Sequence, residues 1–228
     1  MGSRAVGVVG LGLFGRRVAQ TLEELGVDVV AVDRDATLVE RLKDRVTHAV
    51  CLDVTDEAAL GESGLLACDL VVVAIGEDMG SSILVTAILR RLGVQRIVAR
   101  SHSDLHAQVL RTVGAQRTID PEDEMGMRLA QEIFAPDVHA RLRLSTGQEV
   151  VEVRVHRNLV GKTIADLNFR QKYRLNIVAI KHPRPGRAAD ATDAWEVVQL
   201  PSPSDVLRDG DVLVLIGDAE MVRTFLDL

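Results

Sequence analysis

Three glycines after an apolar run are the clearest chemistry-bearing residues of the chain. Gly10, Gly12 and Gly15 follow Ala5–Val9 and precede an amphipathic stretch. In this strand–turn–helix context, Gly10 permits a tight turn, Gly12 leaves room for a phosphate and Gly15 lets the helix pack against the strand. The N–H groups at the start of the helix would then face the phosphate.

An acidic residue follows the glycines at the spacing that a ribose-binding residue requires. Asp33 ends the second apolar run, Val27–Val32, and an ionised Asp there can accept hydrogen bonds from both ribose hydroxyls of an adenosine. The alternative is that Asp33 caps the next helix. Arg34 could flank the adenine, meet a 2′-phosphate or be a solvated surface residue. The pattern predicts a site for adenosine plus phosphates, which ATP, ADP and NAD share.

Groups that could carry out hydride transfer beside this site are hard to find in the sequence. A dehydrogenase needs a proton-transfer residue near the nicotinamide, and the six histidines are scattered. His102 and His106 have helical spacing and are interpreted as a pair on a helix surface. Gly161-Lys162-Thr163 lacks the first glycine of a P-loop, because His156 stands there. We therefore expect a nucleotide sensor rather than an enzyme, with an NAD-dependent oxidoreductase or an NAD-sensing regulator as the alternative.

Short strands must alternate with helices to position these residues. Such alternation predicts βαβ units in a Rossmann-type, doubly wound parallel sheet, and Gly26, Gly93 and Gly114 mark helix ends. The predicted strands are Ala5–Val9, Val27–Val32, Ala49–Leu52, Leu70–Ile75, Arg96–Ala99 and Arg117–Ile119. The predicted helices are Gly15–Leu25, Ala36–Asp44, Asp56–Leu60, Gly80–Leu92, Ser103–Val113 and Glu122–Phe134.

A second, smaller α/β domain is predicted after Pro136, which gives domains of residues 1–136 and 137–228. A helix is expected over Gly161–Tyr173, an exposed mobile loop over Pro183–Asp193, and a short helix that opens at Gly217 and Asp218. The predicted strands are Arg141–Leu144, Val150–Val155, Asn176–Lys181, Trp195–Leu200 and Val212–Ile216.

The composition limits the class of protein. Hydrophobic residues make up 47% and aromatic residues 3% of the 228 residues, so the core must consist mostly of aliphatic side chains. The net charge of −6 and the lack of a basic helix-turn-helix segment disfavour a DNA-binding repressor. No apolar run approaches the ~20 residues of a membrane span, and the N-terminus leaves no room for a signal peptide, so a cytoplasmic chain is expected. Cys51 and Cys68 are interpreted as reduced, mostly buried thiols.

These residues together resemble the regulatory subunits of bacterial Trk/Ktr potassium-uptake systems, which are built from RCK domains (regulators of potassium conductance). The resemblance covers nearly the whole chain. Its marks in the first half are Gly10–Gly15, Val30–Asp33, Thr47–Val50, Val72–Gly76, Gly114-Ala115, Asp120–Glu122 and Met125-Gly126. Its marks in the second half are Gly161–Ile164, Asp166-Leu167, Lys172–Lys181, Asp209–Asp211 and Val214–Gly217.

The resemblance implies a subunit that gates a membrane potassium channel or transporter. Such subunits form homodimers that assemble into a ring, often of eight, beneath the membrane partner, and nucleotide exchange changes the shape of the ring. It further implies peripheral association with the inner membrane through that partner, no direct membrane insertion and no nucleic-acid binding.

Site residues carry over from the family by position. The phosphates would be held by Gly10, Gly12, Leu13, Phe14 and Gly15, and the ribose by Asp33 with Arg34 beside it. The adenine would lie near Asp53 and Val54, Ala74 and Gly76 would line the cleft, and Arg100 would meet a phosphate. Glu122 matches a position that supports a divalent or monovalent cation, shared across the dimer near the γ-phosphate.

Two further implications of the resemblance concern ligand choice. Related proteins commonly carry a basic residue at the position of Leu13, where it reads the γ-phosphate from the neighbouring subunit. Leu13 cannot do so, which leaves Arg16 or Arg17 as substitutes and NAD(H), ADP or AMP as alternative ligands. Some relatives bind cyclic di-AMP through the second domain, where Arg170, Asn176, Ile177 and Ala179 are candidates. The alternative is that Ile177 and Ala179 serve only in packing.

Overall fold

A six-stranded parallel sheet organises the N-terminal part of the chain in the computed structural model, which describes residues 5–134, 138–186 and 194–226. The strand order is β3-β2-β1-β4-β5-β6, and every neighbouring pair is parallel. This order confirms the predicted doubly wound Rossmann-type sheet. The strands are β1 (Ala5–Val9), β2 (Asp28–Asp33), β3 (His48–Cys51), β4 (Leu70–Val73), β5 (Ile97–Arg100) and β6 (Arg117–Ile119).

Six helices connect or follow these strands, and five of them begin at a side chain that accepts a hydrogen bond from the first turn. The capping residues are Asp35, Asp56, Asp78, Ser103 and Asp120, as orphan N–H groups require. The helices are α1 (Leu13–Glu24), α2 (Ala36–Leu42), α3 (Glu57–Glu62), α4 (Met79–Arg91), α5 (Asp104–Val113) and α6 (Pro121–Phe134).

Aliphatic side chains fill both faces of the parallel sheet. Val8 and Val9, adjacent on β1, are fully buried and belong to different clusters on opposite faces. Because both faces are covered, the strands read as continuous apolar runs rather than as alternating ones. Cys51 is exposed and Cys68 half-buried, so the interpretation of two mostly buried thiols is wrong for Cys51, which ends the edge strand β3.

A five-stranded antiparallel sheet forms the C-terminal part, in the order β10-β9-β11-β8-β7. Three short helices accompany it, and the rings of Phe169, Tyr173 and Phe225 meet in its core at centroid distances of 5.3–5.6 Å. The strands are β7 (Val138–Arg143), β8 (Gln148–Arg154), β9 (Asn176–Pro183), β10 (Trp195–Gln199) and β11 (Val212–Asp218). The helices are α7 (Ile164–Leu167), α8 (Phe169–Lys172) and α9 (Ala219–Leu226).

The single helix predicted over Gly161–Tyr173 is wrong, because Asn168 interrupts it. Asn168 adopts a left-handed conformation with φ 46° and separates α7 from α8, as Asn tolerates better than most residues. Thr163 and Asp166 form a capping box that starts α7. Several strand boundaries also differ from the prediction; for example, Pro183 belongs to β9, and Gly217 and Asp218 belong to β11.

Strand β9 contains a β-bulge opposite β11, because one of its residues has no pairing partner on that strand. Val214 pairs with Ala179, but the next residue, Leu215, pairs with Ile177, so that Val178 has no counterpart. Such a bulge lets two residues on one strand oppose one on its partner. As a result, Ile177 and Ile180 both pack into the core at a spacing that simple alternation forbids.

The chain divides into two compact units, Met1–Gly126 and Met127–Leu228. The domain boundary predicted between residues 136 and 137 lies outside the described residues, as do residues 187–193 of the predicted mobile loop. Among the described helices, none has the length and apolar character that a membrane crossing requires.

Candidate functional site

The glycine loop joins β1 to α1 at the point where the strand order reverses. Each of its three glycines has different neighbouring atoms. Gly10 has φ +92°, and a Cβ on it would lie 3.0 Å from the Ile75 nitrogen. A Cβ on Gly15 would lie 1.9 Å from the carbonyl oxygen of Gly10, whereas one on Gly12 would meet nothing within 4 Å. Gly10 and Gly15 are therefore required by the fold itself, while Gly12 faces open space beside the helix N-terminus.

Asp33 ties the end of β2 to the glycine loop. Its Oδ2 accepts a hydrogen bond from the Leu11 N–H at 2.6 Å, and its Oδ1 accepts one from the Asp35 N–H at 2.8 Å. The residue that caps α2 is Asp35, which accepts hydrogen bonds from the Thr37 hydroxyl and from the Thr37 N–H, and these two bonds lower the Asp35 pKa. Each Asp33 oxygen keeps a lone pair that can accept a further hydrogen bond.

A cleft of about 620 Å³ opens along the carboxyl ends of the strands, and we call it the switch-point cleft. It gathers eleven of the sequence-derived candidates: Gly10, Gly12, Leu13, Asp33, Arg34, Asp53, Val54, Ala74, Gly76, Arg100 and Glu122. Two candidates do not line it, because Gly15 is buried beneath the loop and Phe14 lines a neighbouring cleft.

Eight further residues line the switch-point cleft that were not among the predicted site residues. Most follow a strand end directly or start the next helix, so counting past each strand would have found them. They are Asp35, Leu38, Thr55, Ile75, Glu77, Asp78, Ser81 and His102.

Carboxylates form the rim of the cleft on the side of Asp33. Hydrogen bonds from Thr55 lower the pKa of Asp53, and hydrogen bonds from Ser81 lower that of Asp78, with a smaller contribution from Arg34 in both cases. Both groups are therefore ionised at neutral pH. Arg34 acts electrostatically on two carboxylates of the rim, so its charge is partly compensated there.

Arg100 occupies the other end of the cleft and is held on three sides. It forms an ion pair with Glu122, and its guanidinium carbon lies 5.7 Å from the ring centroid of Phe14. A Cβ on Gly76 would lie 2.7 Å from Arg100 Nη1, so the glycine makes room for the arginine. The Nε of Arg100 is buried and has no hydrogen-bond partner among the described residues.

The predicted cation position, Glu122, starts α6 with its side chain 63% exposed. In the part of the chain that the structure describes, no cluster of three or more His, Cys, Asp or Glu side chains could hold a metal ion. A cation at Glu122 shared between subunits stays a prediction.

The interpretation of the two histidines as a pair on a helix surface is wrong, because His106 is buried inside the protein, while His102 precedes α5 and lines the switch-point cleft. His106 is 4% exposed, because the buried side of α5 consists of His106, Ala107 and Leu110. The rings of His102 and His106 are stacked at 6.0 Å with an interplanar angle of 6°. In the part of the chain that the structure describes, neither ring nitrogen of His106 has a hydrogen-bond partner. Burial lowers the pKa of His106, with a smaller contribution from His102.

The four candidates for a second ligand lie on α8 and β9 of the C-terminal unit. Arg170 and Asn176 are exposed, Ile177 packs against the core cluster, and Ala179 is 8% exposed. The two polar side chains are accessible, and the two apolar ones contribute to packing. Ligand binding by this group stays a prediction.

Comparison with known proteins extends over both units. The TrkA-N domain family matches residues 6–121, and the TrkA-C domain family matches residues 150–228. Ktr system potassium uptake protein C of Bacillus subtilis is 38% identical over 96% of this chain and 94% of its own length. Ktr system potassium uptake protein A of the same organism is 34% identical over 96% and 93%.

Two solved structures share the architecture of the whole chain. The GsuK RCK domain has a TM-score of 0.56 and 26% identity, and covers 99% of this chain. The GsuK channel bound to NAD has a TM-score of 0.56 and 25% identity over the same share. This chain spans 46% and 38% of those longer chains. The protein belongs to the Trk/Ktr family of potassium uptake proteins, built from a TrkA-N and a TrkA-C domain.

Proposed function

We propose that the protein is a cytoplasmic regulatory subunit that gates a membrane potassium channel or transporter in response to an adenine nucleotide. The observation that carries the proposal is the 2.6 Å hydrogen bond between Asp33 Oδ2 and the Leu11 N–H. It joins the ribose-binding candidate to the phosphate loop at the mouth of one cleft. The end-to-end likeness to Ktr potassium uptake proteins supports the regulatory role.

The switch-point cleft suits a nucleotide whose ribose carries free hydroxyls. Asp33, Asp53 and Asp78 line the same cleft, and a 2′-phosphate among carboxylates would be repelled. ATP, ADP and NAD(H) therefore fit the rim better than NADP does. The NAD bound to the similar GsuK channel supports NAD as a ligand.

Homodimers that assemble into an octameric ring are part of the proposal. An apolar set on α6 is exposed and supports contact with a second copy: Met125 59%, Met127 53%, Leu129 54%, Ile133 72% and Phe134 90%. Exposed apolar patches of this kind mark interaction surfaces. Nucleotides that bind two ring conformations unequally would supply the gating free energy.

We further propose that the protein binds two additional ligands, a cation and cyclic di-AMP. A divalent or monovalent cation would sit at Glu122, between subunits and near the phosphates. Cyclic di-AMP would bind the C-terminal unit through Arg170 and Asn176, with Ile177 and Ala179 beside them.

The decisive experiment is calorimetric titration of ATP, ADP, NAD, NADH and cyclic di-AMP into the purified protein and its Asp33→Asn variant. We expect the affinity of the four adenosine-5′-phosphate ligands to fall about tenfold or more, because a charged acceptor of ribose hydroxyls is lost. Asp56→Asn is the matched control, since Asp56 caps α3 and lines neither the switch-point cleft nor the neighbouring cleft beside Phe14. Equal affinity in the wild type and Asp33→Asn would falsify the site.

Further measurements test the ring assembly, the oxidoreductase alternative and the second ligand. Native mass spectrometry reports the ring size and any nucleotide carried through purification. Turnover of NADH with a small carbonyl substrate would favour the oxidoreductase alternative instead. For the second ligand, Arg170→Gln should weaken cyclic di-AMP binding and leave ATP binding unchanged.

A further inference from the structure

Two stacked histidines connect the switch-point cleft with the interior of the N-terminal unit. His102 follows β5 and lines the cleft, while His106 lies on α5 and is 4% exposed. Their rings are nearly parallel, with an interplanar angle of 6° and 6.0 Å between the centroids. We propose that an anionic nucleotide binds in the switch-point cleft together with one proton, which His102 takes up from the solvent. This inference rests on the proposed nucleotide site and adds a dependence of its affinity on pH.

Unpartnered ring nitrogens are the first argument for this role. Among the described residues, His102 Nε2 and both ring nitrogens of His106 are buried without a hydrogen-bond partner. Most buried polar atoms in proteins have such a partner, so three of them in two adjacent rings require an explanation. Both ring nitrogens of a protonated His102 are donors. A phosphate or ribose oxygen of a ligand in the cleft is an acceptor that this ring can use.

The stacked arrangement allows the pair to hold one proton but not two. Two imidazolium rings with 6.0 Å between their centroids would repel each other where little water separates them. Burial, with a smaller contribution from His102, keeps the pKa of His106 below its ordinary value. His106 also lies in the first turn of α5, where the helix dipole disfavours a positive charge. The proton therefore goes to His102, the ring that faces the cleft.

The other charged groups around the pair are already partnered or exposed. In the cleft, Arg100 pairs with Glu122, and Asp78 accepts two hydrogen bonds from Ser81. The elements α4 and β6 pack against α5; the buried residues of α4 are uncharged, and Arg117 of β6 is exposed. Asp33 is hydrogen-bonded to the glycine loop. The remaining charged groups of the cleft and of α5 are exposed, and they are Arg34, Asp35, Asp53, Glu77, Asp104 and Arg111.

Coupled proton uptake fixes the direction of the pH effect. The nucleotide complex carries one proton more than the free protein, so its affinity rises as the pH falls, by up to about tenfold per pH unit where a full proton is taken up. Acidification therefore shifts the protein toward its nucleotide-bound form.

Calorimetric titration from about pH 6 to about pH 8, in pairs of buffers with different ionisation enthalpies, measures both the affinity and the number of protons taken up. The full chain is compared with its His102→Gln variant and with His48→Gln, a matched control at an exposed histidine outside the cleft. Circular dichroism melting establishes that the variants are folded.

The ligands are ATP, ADP and NAD. A terminal phosphate has a second pKa of about 6, and for ATP and ADP the difference between the wild type and His102→Gln cancels that titration. NAD has no terminal phosphate, so proton uptake with NAD can be read from the wild type alone.

We expect the wild type and His48→Gln to take up a proton with each ligand and to bind NAD about threefold or more tightly at the acidic end of the range. His102→Gln should bind NAD with the same affinity at both ends. His106→Leu should keep the proton uptake, because the proton resides on His102. Uptake that persists in His102→Gln, or that is lost in His106→Leu, would overturn the inference.

The same titrations keep this inference apart from the proposed function. Nucleotide binding by the wild type without proton uptake overturns the inference and leaves the nucleotide site standing. A wild type that binds none of the three nucleotides overturns both.

Discussion

Two glycines of the same loop should respond to alanine in opposite ways. In Gly15→Ala, the new methyl group would lie 1.9 Å from the Gly10 carbonyl oxygen and 3.0 Å from the Ala74 Cβ. In Gly12→Ala, it would meet no protein atom within 4 Å. Comparison of the two variants therefore separates the packing role of the loop from its ligand-binding role.

The cost of Gly15→Ala follows from the size of the overlap. A Cβ contact shorter than 3.0 Å is essentially never tolerated, so α1 must move away from the loop by about 1 Å. Overpacking of a tight contact costs roughly 1–3 kcal/mol, which lowers Tm by roughly 2–12 °C in a chain of this size. The moved helix no longer presents its N–H groups to a phosphate, so nucleotide affinity falls as well.

Gly12→Ala should leave stability unchanged or raise it by up to about 1 kcal/mol, because alanine restricts the unfolded chain. Gly12 has φ −58°, which alanine adopts without strain. Its methyl group would instead occupy the space that a phosphate needs, so we expect a loss of about tenfold or more in ATP affinity.

Thermal melting followed by circular dichroism measures the loss of stability in Gly15→Ala. Calorimetric titration measures the loss of ATP affinity in Gly12→Ala. An unchanged Tm in Gly15→Ala would refute the packing argument. Wild-type ATP affinity in a folded Gly12→Ala variant would refute the assignment of Gly10–Gly15 as a phosphate loop.

Three further predictions concern stability. Arg174 adopts φ 54°, a strained region for a non-glycine residue, so Arg174→Gly should raise the free energy of unfolding by up to about 1 kcal/mol in a urea titration. His106→Leu should raise it by about 1–3 kcal/mol, because two unpartnered ring nitrogens are removed. That gain should grow as the pH falls below the ordinary histidine value of 6.5, since the lowered folded-state pKa lets the unfolded chain bind more protons. Asp211 is fully buried and pairs with His182 Nδ1 at 2.7 Å, so Asp211→Ala should cost about 3–5 kcal/mol in the same titration.

Each of these predictions has a contrary outcome. A less stable Arg174→Gly variant would mean that the arginine side chain contributes more than its backbone strain costs. A stability gain in His106→Leu that is constant from about pH 5.5 to pH 7.5 would contradict the titration argument. The exposed neighbour Asp209 supplies the control for Asp211, and equal effects of alanine at both positions would contradict the burial argument.

The parallel sheet could be predicted from the sequence because its strands are buried on both faces and end at turn residues. Ala5–Val9 and Arg117–Ile119 have the predicted bounds. Gly26, Gly93 and Gly114 end helices with φ of 80°, 99° and 131°, as their position after each amphipathic stretch indicated.

The C-terminal details could not be predicted because they depend on single backbone conformations. Nothing in the pattern of Gly161–Tyr173 shows that Asn168 turns left-handed. The core residues Ile177 and Ile180 are three positions apart, which does not fit the period of two that a regular strand has, because Val178 is an extra residue.

The candidate site was predictable where it lies at strand ends and unpredictable where it depends on tertiary approach. Asp33 and Gly76 follow buried strands, whose carboxyl ends share one edge of the sheet. Arg45, in contrast, follows α2 and lines the cleft beside Phe14 together with Arg16 of α1, and sequence spacing does not reveal that approach. His106 illustrates the same point, because an i, i+4 pair does not show which face of its helix is buried.

The extra residue in β9 makes one position of that strand tolerant to a change in chain length. Deleting Val178 would leave the pairs Val214–Ala179 and Leu215–Ile177 in a regular ladder, with each side chain on its present face. Deleting a neighbour such as Ile180 would turn every later side chain to the opposite face. Homologues that differ in length within this strand should therefore differ at Val178. Such a difference would change the spacing between Asn176 and Ala179 while the core of the C-terminal unit stays intact.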